Sequence, residues 1–319
     1  MTIAEIINGI NSGNRFALAK GLTIIESTRP EDRQKSTEIV NACWHNKRDS
    51  KRIGITGSPG VGKSTFIDYY GEFLIEKGHK VAVLATDPSS SIHSGSILGD
   101  KTRMNNLSTS PSAFVRPSPN NNKMGGIQER TFESIILCES AGYDTIIIET
   151  VGVGQSEFSV SNVVDCLVLM LLPNAGDELQ GIKKGIMEVA DLFVLHKTDT
   201  VSSNQLTDAQ KSLSTALHLA NNTPLLFNEI ISKISSLDGT GIDSFYNTIE
   251  KYFSLIKKNN SLNLKRLIQI EVYIRNLVKQ KIIEHYKVSL DNISKSNEID
   301  SNKSPHLQAE ILFKNILKD

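Results

Sequence analysis

The segment Gly57-Ser-Pro-Gly-Val-Gly-Lys-Ser64 has the residue types and spacing of a loop that holds phosphate. Glycines at 57, 60 and 62 let the backbone fold so that its N–H groups point inward at phosphate oxygens, beside the positive end of the helix that follows. Lys63 then reaches the β- and γ-phosphates, and the Ser64 hydroxyl suits Mg²⁺. The segment fits G-x-x-x-x-G-K-[ST], with a β-rich run, Arg52–Thr56, ahead of it and a helical segment, Thr65–Glu76, behind it. A chance glycine-rich turn would have no reason to carry both Lys63 and Ser64. Gly57, Ser58, Pro59, Gly60, Val61, Gly62, Lys63, Ser64 and Thr65 are therefore expected around a nucleoside triphosphate.

A triphosphate site also needs carboxylates at the ends of neighbouring strands, to hold Mg²⁺ directly or through water. Lys80-Val-Ala-Val-Leu-Ala-Thr-Asp87 closes on Asp87, and Thr145-Ile-Ile-Ile-Glu149 closes on Glu149 ahead of Gly152. The Gly152 N–H is placed to register a γ-phosphate. Asp100, in a polar Ser/Gly-rich loop, is a further acid that can swing onto the metal. On the base side, the run Leu192–Leu195 leads into His196-Lys197-Thr198-Asp199. GTP-binding proteins carry Asn-Lys-x-Asp in the comparable loop, where the Asp accepts two N–H bonds from guanine and the Lys stem lies along the base. Adenine offers no matching donor pair and would leave a buried carboxylate unpaired, so Asp199 carries the discrimination. Ser235, Ser236 and Leu237, ahead of Gly239-Thr-Gly241, are placed like a last base-contacting loop.

These residues must be positioned by the rest of a chain of 319 residues. Lys+Arg 35 balance Asp+Glu 35, which argues against a protein that grips nucleic acid or anionic membrane by bulk charge. Cys43, Cys138 and Cys166 are odd in number and widely spaced, which suits a reducing cytosol rather than a disulfide framework. The N-terminus has no apolar run of the signal-peptide kind, and the apolar stretch Cys166–Pro173 is far short of the roughly 20 residues a membrane span needs. A cytoplasmic location is expected.

Residues 1–50 read as an N-terminal helical segment, with Ile3, Ile6, Ile7 and Ile10 at helical spacing and a break at Asn11–Asn14. From 51 to 255, β-rich runs alternate with helical segments: Arg52–Thr56, Lys80–Thr86, Thr145–Thr150, Cys166–Leu172, Leu192–Leu195 and Pro224–Ile230. That alternation predicts an α/β fold, a mainly parallel, doubly wound sheet with helices on both faces. Asp87–Lys101 and Ser108–Gly126 read as long polar loops, of the kind that act as lids or switches. Residues 256–319 form a C-terminal helical extension. Leu264, Leu267, Ile268, Ile274, Leu277, Val278 and Ile282 share one face of its first helix, for packing on its own core or for an arm that reaches a second subunit. A polar stretch, 288–304, precedes a last short helix, Gln308–Leu317.

With those residues assembled, the chain resembles the MeaB/ArgK family of GTPases, relatives of the methylmalonic aciduria type A protein. The resemblance runs from about Arg52 to Phe253. It rests on Gly57–Ser64, Asp87-Pro-Ser-Ser90, Gly95-Ser-Ile-Leu-Gly-Asp-Lys-Thr-Arg-Met104, Arg116-Pro-Ser-Pro119, Glu149-Thr-Val-Gly-Val-Gly-Gln-Ser156 and Pro173-Asn-Ala-Gly-Asp-Glu-Leu-Gln-Gly-Ile-Lys-Lys-Gly185. It implies a P-loop fold and a homodimeric GTPase, with the C-terminal helices as the dimer arm. The implied client is adenosylcobalamin-dependent methylmalonyl-CoA mutase, whose cofactor loading the GTPase gates, which it protects, and which stimulates GTP hydrolysis to GDP. It further implies that Ser64, Asp87, Asp100 and Glu149 surround Mg²⁺, and that Gly176–Gly185 is an additional switch in which Gln180 and Lys183 move toward the nucleotide. Lys63, Glu149, Asp100 and Lys183 are the expected catalytic set.

Two positions depart from the family pattern: His196 replaces Asn, and Ser236 sits where Ala is usual. Both touch base binding, so weaker guanine binding is expected, with His196→Asn tightening it. Two rivals share the nucleotide core. A metal-insertion GTPase would carry clustered His and Cys, whereas here His45, His79, His93, His196, His218, His285 and His306 are scattered. A kinase of the transport-system kind would need an acceptor, for which no residue argues.

Overall fold

The computed structural model describes residues 1–87, 104–119, 126–150, 160–173, 184–220 and 230–286, with a few residues between 304 and 313. Among the described residues, seven strands form one sheet in the order β3-β2-β4-β1-β5-β6-β7. They are β1 (Lys51–Gly57), β2 (Val81–Asp87), β3 (Ala113–Pro119), β4 (Thr145–Glu149), β5 (Cys166–Leu171), β6 (Leu192–His196) and β7 (Ile231–Ile234). Every pairing is parallel. β4, β5 and β6 are buried along their whole length, as strands covered on both faces must be.

Strand side chains divide by alternation. Ile53, Ile55, Ile147, Val168 and Val194 join Phe66, Tyr70, Phe245 and Ile249 in one core, beneath α4 (Lys63–Glu76) and α9 (Ile242–Lys258). Phe66 meets Phe245 edge-on at 5.4 Å, a favoured aromatic geometry. α1 (Ile3–Asn11), α2 (Arg15–Glu26) and α3 (Pro30–Asn46) pack on one another and on α6 (Gly126–Ser140), which lies against β2. The first helix starts where a capping box allows. The Glu5 N–H donates to the Thr2 hydroxyl, and the Glu5 carboxylate accepts from the Thr2 N–H. Asn14 caps α2 through the Ala17 N–H.

The sheet corrects the sequence reading at one edge. Residues 113–119, expected within a polar loop, form β3, paired with β2 from Val81↔Ala113 to Asp87↔Pro119. Pro117 and Pro119 disguise the strand, since proline cannot donate to a ladder, but an outermost strand tolerates it. The last strand is Ile231–Ile234; 224–229, where it was expected, lie outside the described residues. So do 88–103, 120–125, 151–159, 174–183 and 287–303, with most of 305–319. The remaining helices among the described residues are α5 (Asn105–Thr109), α7 (Lys184–Val189), α8 (Ser203–Ala220) and α10 (Ser261–His285). Met1–Gln269 form one compact unit and Ile270–Asp319 a second.

A buried ionic cluster lies at the N-terminal ends of β1 and β5. Arg52 and Glu139 are 3% and 1% exposed, and Arg52 Nε and Nη2 donate to the Glu139 carboxylate at 2.7 and 3.1 Å. Ser50 adds a third donor to Glu139, at 2.6 Å. Asp165, fully buried, accepts from the Arg52 N–H and from Nε and Nη2 of Arg266 on α10. Gln269 Nε2 donates to the Val164 carbonyl at 2.7 Å, and Lys265 Nζ to Asp191 at 3.2 Å. Lys265, Arg266 and Gln269 thus seat the first turns of α10 on the sheet. Removing one partner of a buried pair strands the other charge in the interior. Asp165→Ala is expected to lower unfolding free energy by about 3 kcal/mol. Urea denaturation measures this, with Arg275→Ala, an exposed pair on α10, as the near-neutral control.

The three cysteines are free and buried. Burial pushes the thiols of Cys43, Cys138 and Cys166 up from their ordinary value.

Candidate nucleotide site

Parallel register brings the expected site residues to one edge of the sheet. Ile55 of β1 lies opposite Glu149 of β4, and Ala85 of β2 is also opposite Glu149, so Gly57, Asp87 and Glu149 end neighbouring strands. His196 of β6 pairs with Ile234 of β7, which sets Lys197–Asp199 beside Ser235–Leu237. Ligands of open α/β sheets collect at this carboxyl edge.

The phosphate loop leaves β1 through Gly57, whose φ is +147°; a Cβ there would stand 2.4 Å from the Met170 carbonyl oxygen. It enters α4 through Gly62, with φ +95°. Among the described residues no side chain caps α4, which leaves its first N–H groups for an anion. Lys63 is buried, and its Nζ donates to the carbonyls of Gly57 at 2.8 Å and Ser58 at 3.2 Å. The Ser64 hydroxyl donates to Glu149 Oε1 at 2.8 Å. A hydroxyl and a carboxylate this close form a hard-oxygen pair of the kind Mg²⁺ takes. Behind them, Thr150 Oγ1 donates to Thr56 Oγ1 at 2.9 Å and the Thr150 N–H to the Ile55 carbonyl at 3.0 Å. These bonds clip the end of β4 to the root of the loop, and nothing in the sequence pattern singled out either threonine.

The base-side loops close on the same loop from the other flank. Lys197 sits at φ +59° and its Nζ donates to the Gly60 carbonyl at 2.8 Å. His196 is 2% exposed, its Nδ1 lies 2.7 Å from the Val61 carbonyl and its Nε2 2.8 Å from the Ser236 hydroxyl. The Leu237 N–H donates to Ser235 Oγ at 3.3 Å, and the Leu237 side chain is 82% exposed. Asp199 lies in a short helical turn, Thr198–Thr200, beside Lys197. Of the remaining expected site residues, Asp87 ends β2. Asp100, Gly152, Gln180 and Lys183 lie outside the described residues.

This fold and this edge define a P-loop nucleoside triphosphatase. Comparison with known proteins narrows the class. The model of the family described as "Methylmalonyl Co-A mutase-associated GTPase MeaB" matches residues 18–291. The chain is 40% identical over 284 residues to the GTPase ArgK of Escherichia coli, covering 89% of this chain and 86% of that protein. It is 40% identical over 295 residues to the mitochondrial methylmalonic aciduria type A homolog of Mus musculus, covering 89% and 71%. A solved structure described as an LAO/AO transport system kinase superposes with a TM-score of 0.75 at 32% identity, over 99% of this chain and 98% of that one. The chain belongs to the MeaB family and is a GTPase.

Burial lowers the His196 pKa from its ordinary value, outweighing the bond to the Val61 carbonyl, which raises it. On acidification the unfolded chain therefore takes this proton first. The contribution to stability is complete above about pH 6.5 and is lost as pH falls through that value toward the folded-state pKa. Between pH 7 and 5 the urea stability of the wild type is expected to fall more steeply than that of His196→Asn. Parallel slopes would remove His196 from the acid response.

Proposed function

We propose that the GTPase cycle of this chain serves an adenosylcobalamin-dependent methylmalonyl-CoA mutase, as a chaperone that gates cofactor loading and protects the mutase. The family match across 18–291, joined to a phosphate loop and base loops in contact, is the observation that carries this reading. On this reading the chain works as a homodimer in the cytoplasm.

Ser64, Asp87, Asp100 and Glu149 would hold Mg²⁺, which supplies charge neutralisation on the transferring phosphoryl group. Lys63 would exchange its two loop carbonyls for β- and γ-phosphate oxygens, and the α4 N–H groups would hold the remaining anionic oxygens. Glu149 would order water beside Ser64, and the Gly152 N–H would register the γ-phosphate. Asp199 would read guanine, with Lys197 along the base and Ser235–Leu237 closing over it. No protein nucleophile is needed, because phosphoryl transfer asks for positioning and charge stabilisation. Lys183 and Gln180 would complete the site when the mutase docks, which makes intrinsic turnover slow and partner-dependent.

Hydrolysis of GTP and of ATP, each with and without the cognate mutase, tests this. Slow GTP turnover that rises with mutase, with ATP inert, is expected, and Lys183→Ala should lose at least tenfold of the stimulated rate, as the loss of a transition-state charge contact does. Stimulated turnover that survives in Lys183→Ala removes that role, and indifference to the mutase removes the client. A kinase reading, suggested by the name of the LAO/AO structure, requires phosphate on an acceptor instead of free phosphate.

The dimer reading draws on α10, where Leu264, Leu267, Ile268, Ile274, Val278 and Ile282 are about half exposed or more. Exposed apolar side chains at this spacing suit a partner surface. Sedimentation equilibrium should give a dimer for the wild type and a folded monomer for Leu267→Glu/Ile274→Glu. A dimer that persists in the variant would put the interface elsewhere.

A further inference from the structure

We propose that His196 and Ser236 act as one positioning unit, a directed chain of hydrogen bonds that keeps the base-side loops in register with the phosphate loop. The direction follows from the chemistry of the partners. The Val61 carbonyl can only accept, so Nδ1 of His196, 2.7 Å away, carries the proton. In the neutral ring Nε2 is then an acceptor, and at 2.8 Å the Ser236 hydroxyl donates to it. Both residues are buried, 2% and 9% exposed, so water does not substitute readily for either bond. The chain runs Ser236 O–H to Nε2, then Nδ1–H to the Val61 carbonyl.

Two independent features show that the ring is seated against the phosphate loop. A Cβ on Gly62 would stand 2.8 Å from His196 Cε1 and 2.9 Å from Nδ1, so the glycine backbone lies directly on the imidazole. The next residue repeats the grip, since Lys197 Nζ takes the carbonyl of Gly60 at 2.8 Å. The phosphate loop thus has two adjoining carbonyl-bearing turns held by two consecutive residues of the base-side loop. Ser236 ties that loop in turn to the strand end that carries Ser235 and Leu237.

This geometry reverses the expectation that Asn at 196 tightens guanine binding. An Asn amide has an atom where Nδ1 lies and can donate to Val61, but it has none two bonds further out, where Nε2 meets Ser236. The two departures from the family pattern are therefore one paired feature, and changing either alone breaks it.

Dissociation constants for GDP and for inorganic pyrophosphate, measured by calorimetry on Ser236→Ala, Ser236→Thr, His196→Asn and His196→Asn/Ser236→Ala, test the proposal. Ser236→Ala leaves a buried acceptor unmet and should weaken GDP binding about tenfold. Pyrophosphate, which engages only the phosphate loop, should shift by less than about twofold on the same principle. Ser236→Thr, which keeps the hydroxyl, should restore GDP affinity. The double variant should bind no worse than His196→Asn alone, because the partner of Ser236 is already gone. Nitrogen-15 NMR of the wild-type imidazole should show a protonated Nδ1 and a bare Nε2, and this reading stands even if Ser236→Ala does not fold. A protonated Nε2 beside a bare Nδ1, equal losses for GDP and pyrophosphate, or additive effects in the double variant would each overturn the proposal.

Discussion

A phosphate loop works only if its N–H groups point inward, and that orientation forces its carbonyls outward, where each needs a donor. Here side chains supply most of them, while the Val61 N–H also donates to the Ser58 carbonyl and the Phe66 N–H to the Gly62 carbonyl. Lys63 takes the carbonyls of Gly57 and Ser58, Lys197 takes Gly60, and His196 takes Val61. The donors come from the helix that the loop starts and from the end of β6 and the residue after it, and β6 stands two strands from β1 in the sheet. The shape of the anion cradle is therefore a tertiary property. It depends on β5 and β6 holding register with β1, because a slip of β6 would withdraw two of the three donors.

The opposite end of the sheet answers a different demand. Near Arg52, Asp165 and Glu139 the interior holds formal charges, tolerable only because each is met by opposed charge and several hydrogen bonds. That arrangement defines where α10 begins, since Lys265, Arg266 and Gln269 fit only where those acceptors lie. One pole of the sheet is organised around an anion to be bound, and the other around anions that the protein carries itself. The apolar layers between them, with Phe66, Tyr70 and Phe245 on one side, keep the two electrostatic regions apart.

How much of this could be read in advance depended on whether the signal was local. Gly57–Ser64 announces itself because the loop's chemistry is packed into consecutive residues, and β4, β5 and β6 are legible because buried parallel strands are near-continuous apolar runs. β3 was hidden by Pro117 and Pro119, which argue against a strand until its edge position is known. His196 and Ser236 were each visible as departures, yet 40 positions separate them, and only the pairing of β6 with β7 shows that they touch. The Arg52–Glu139 pair was illegible for the same reason. A buried charge betrays nothing by its own identity, and its partner lies 87 positions away.

The cysteines have a practical meaning. The thiolate is the reactive form, and burial both withholds it and blocks the approach of an electrophile. Cys43, Cys138 and Cys166 sit inside the folded protein with their thiols held protonated. The native chain is in effect silent toward maleimides and similar reagents. A single cysteine introduced at an exposed position, such as Leu237 beside the base-side loop, would be the one group to take a dye or spin label. Loop motion during the nucleotide cycle then becomes observable without first stripping the protein of its own sulfur.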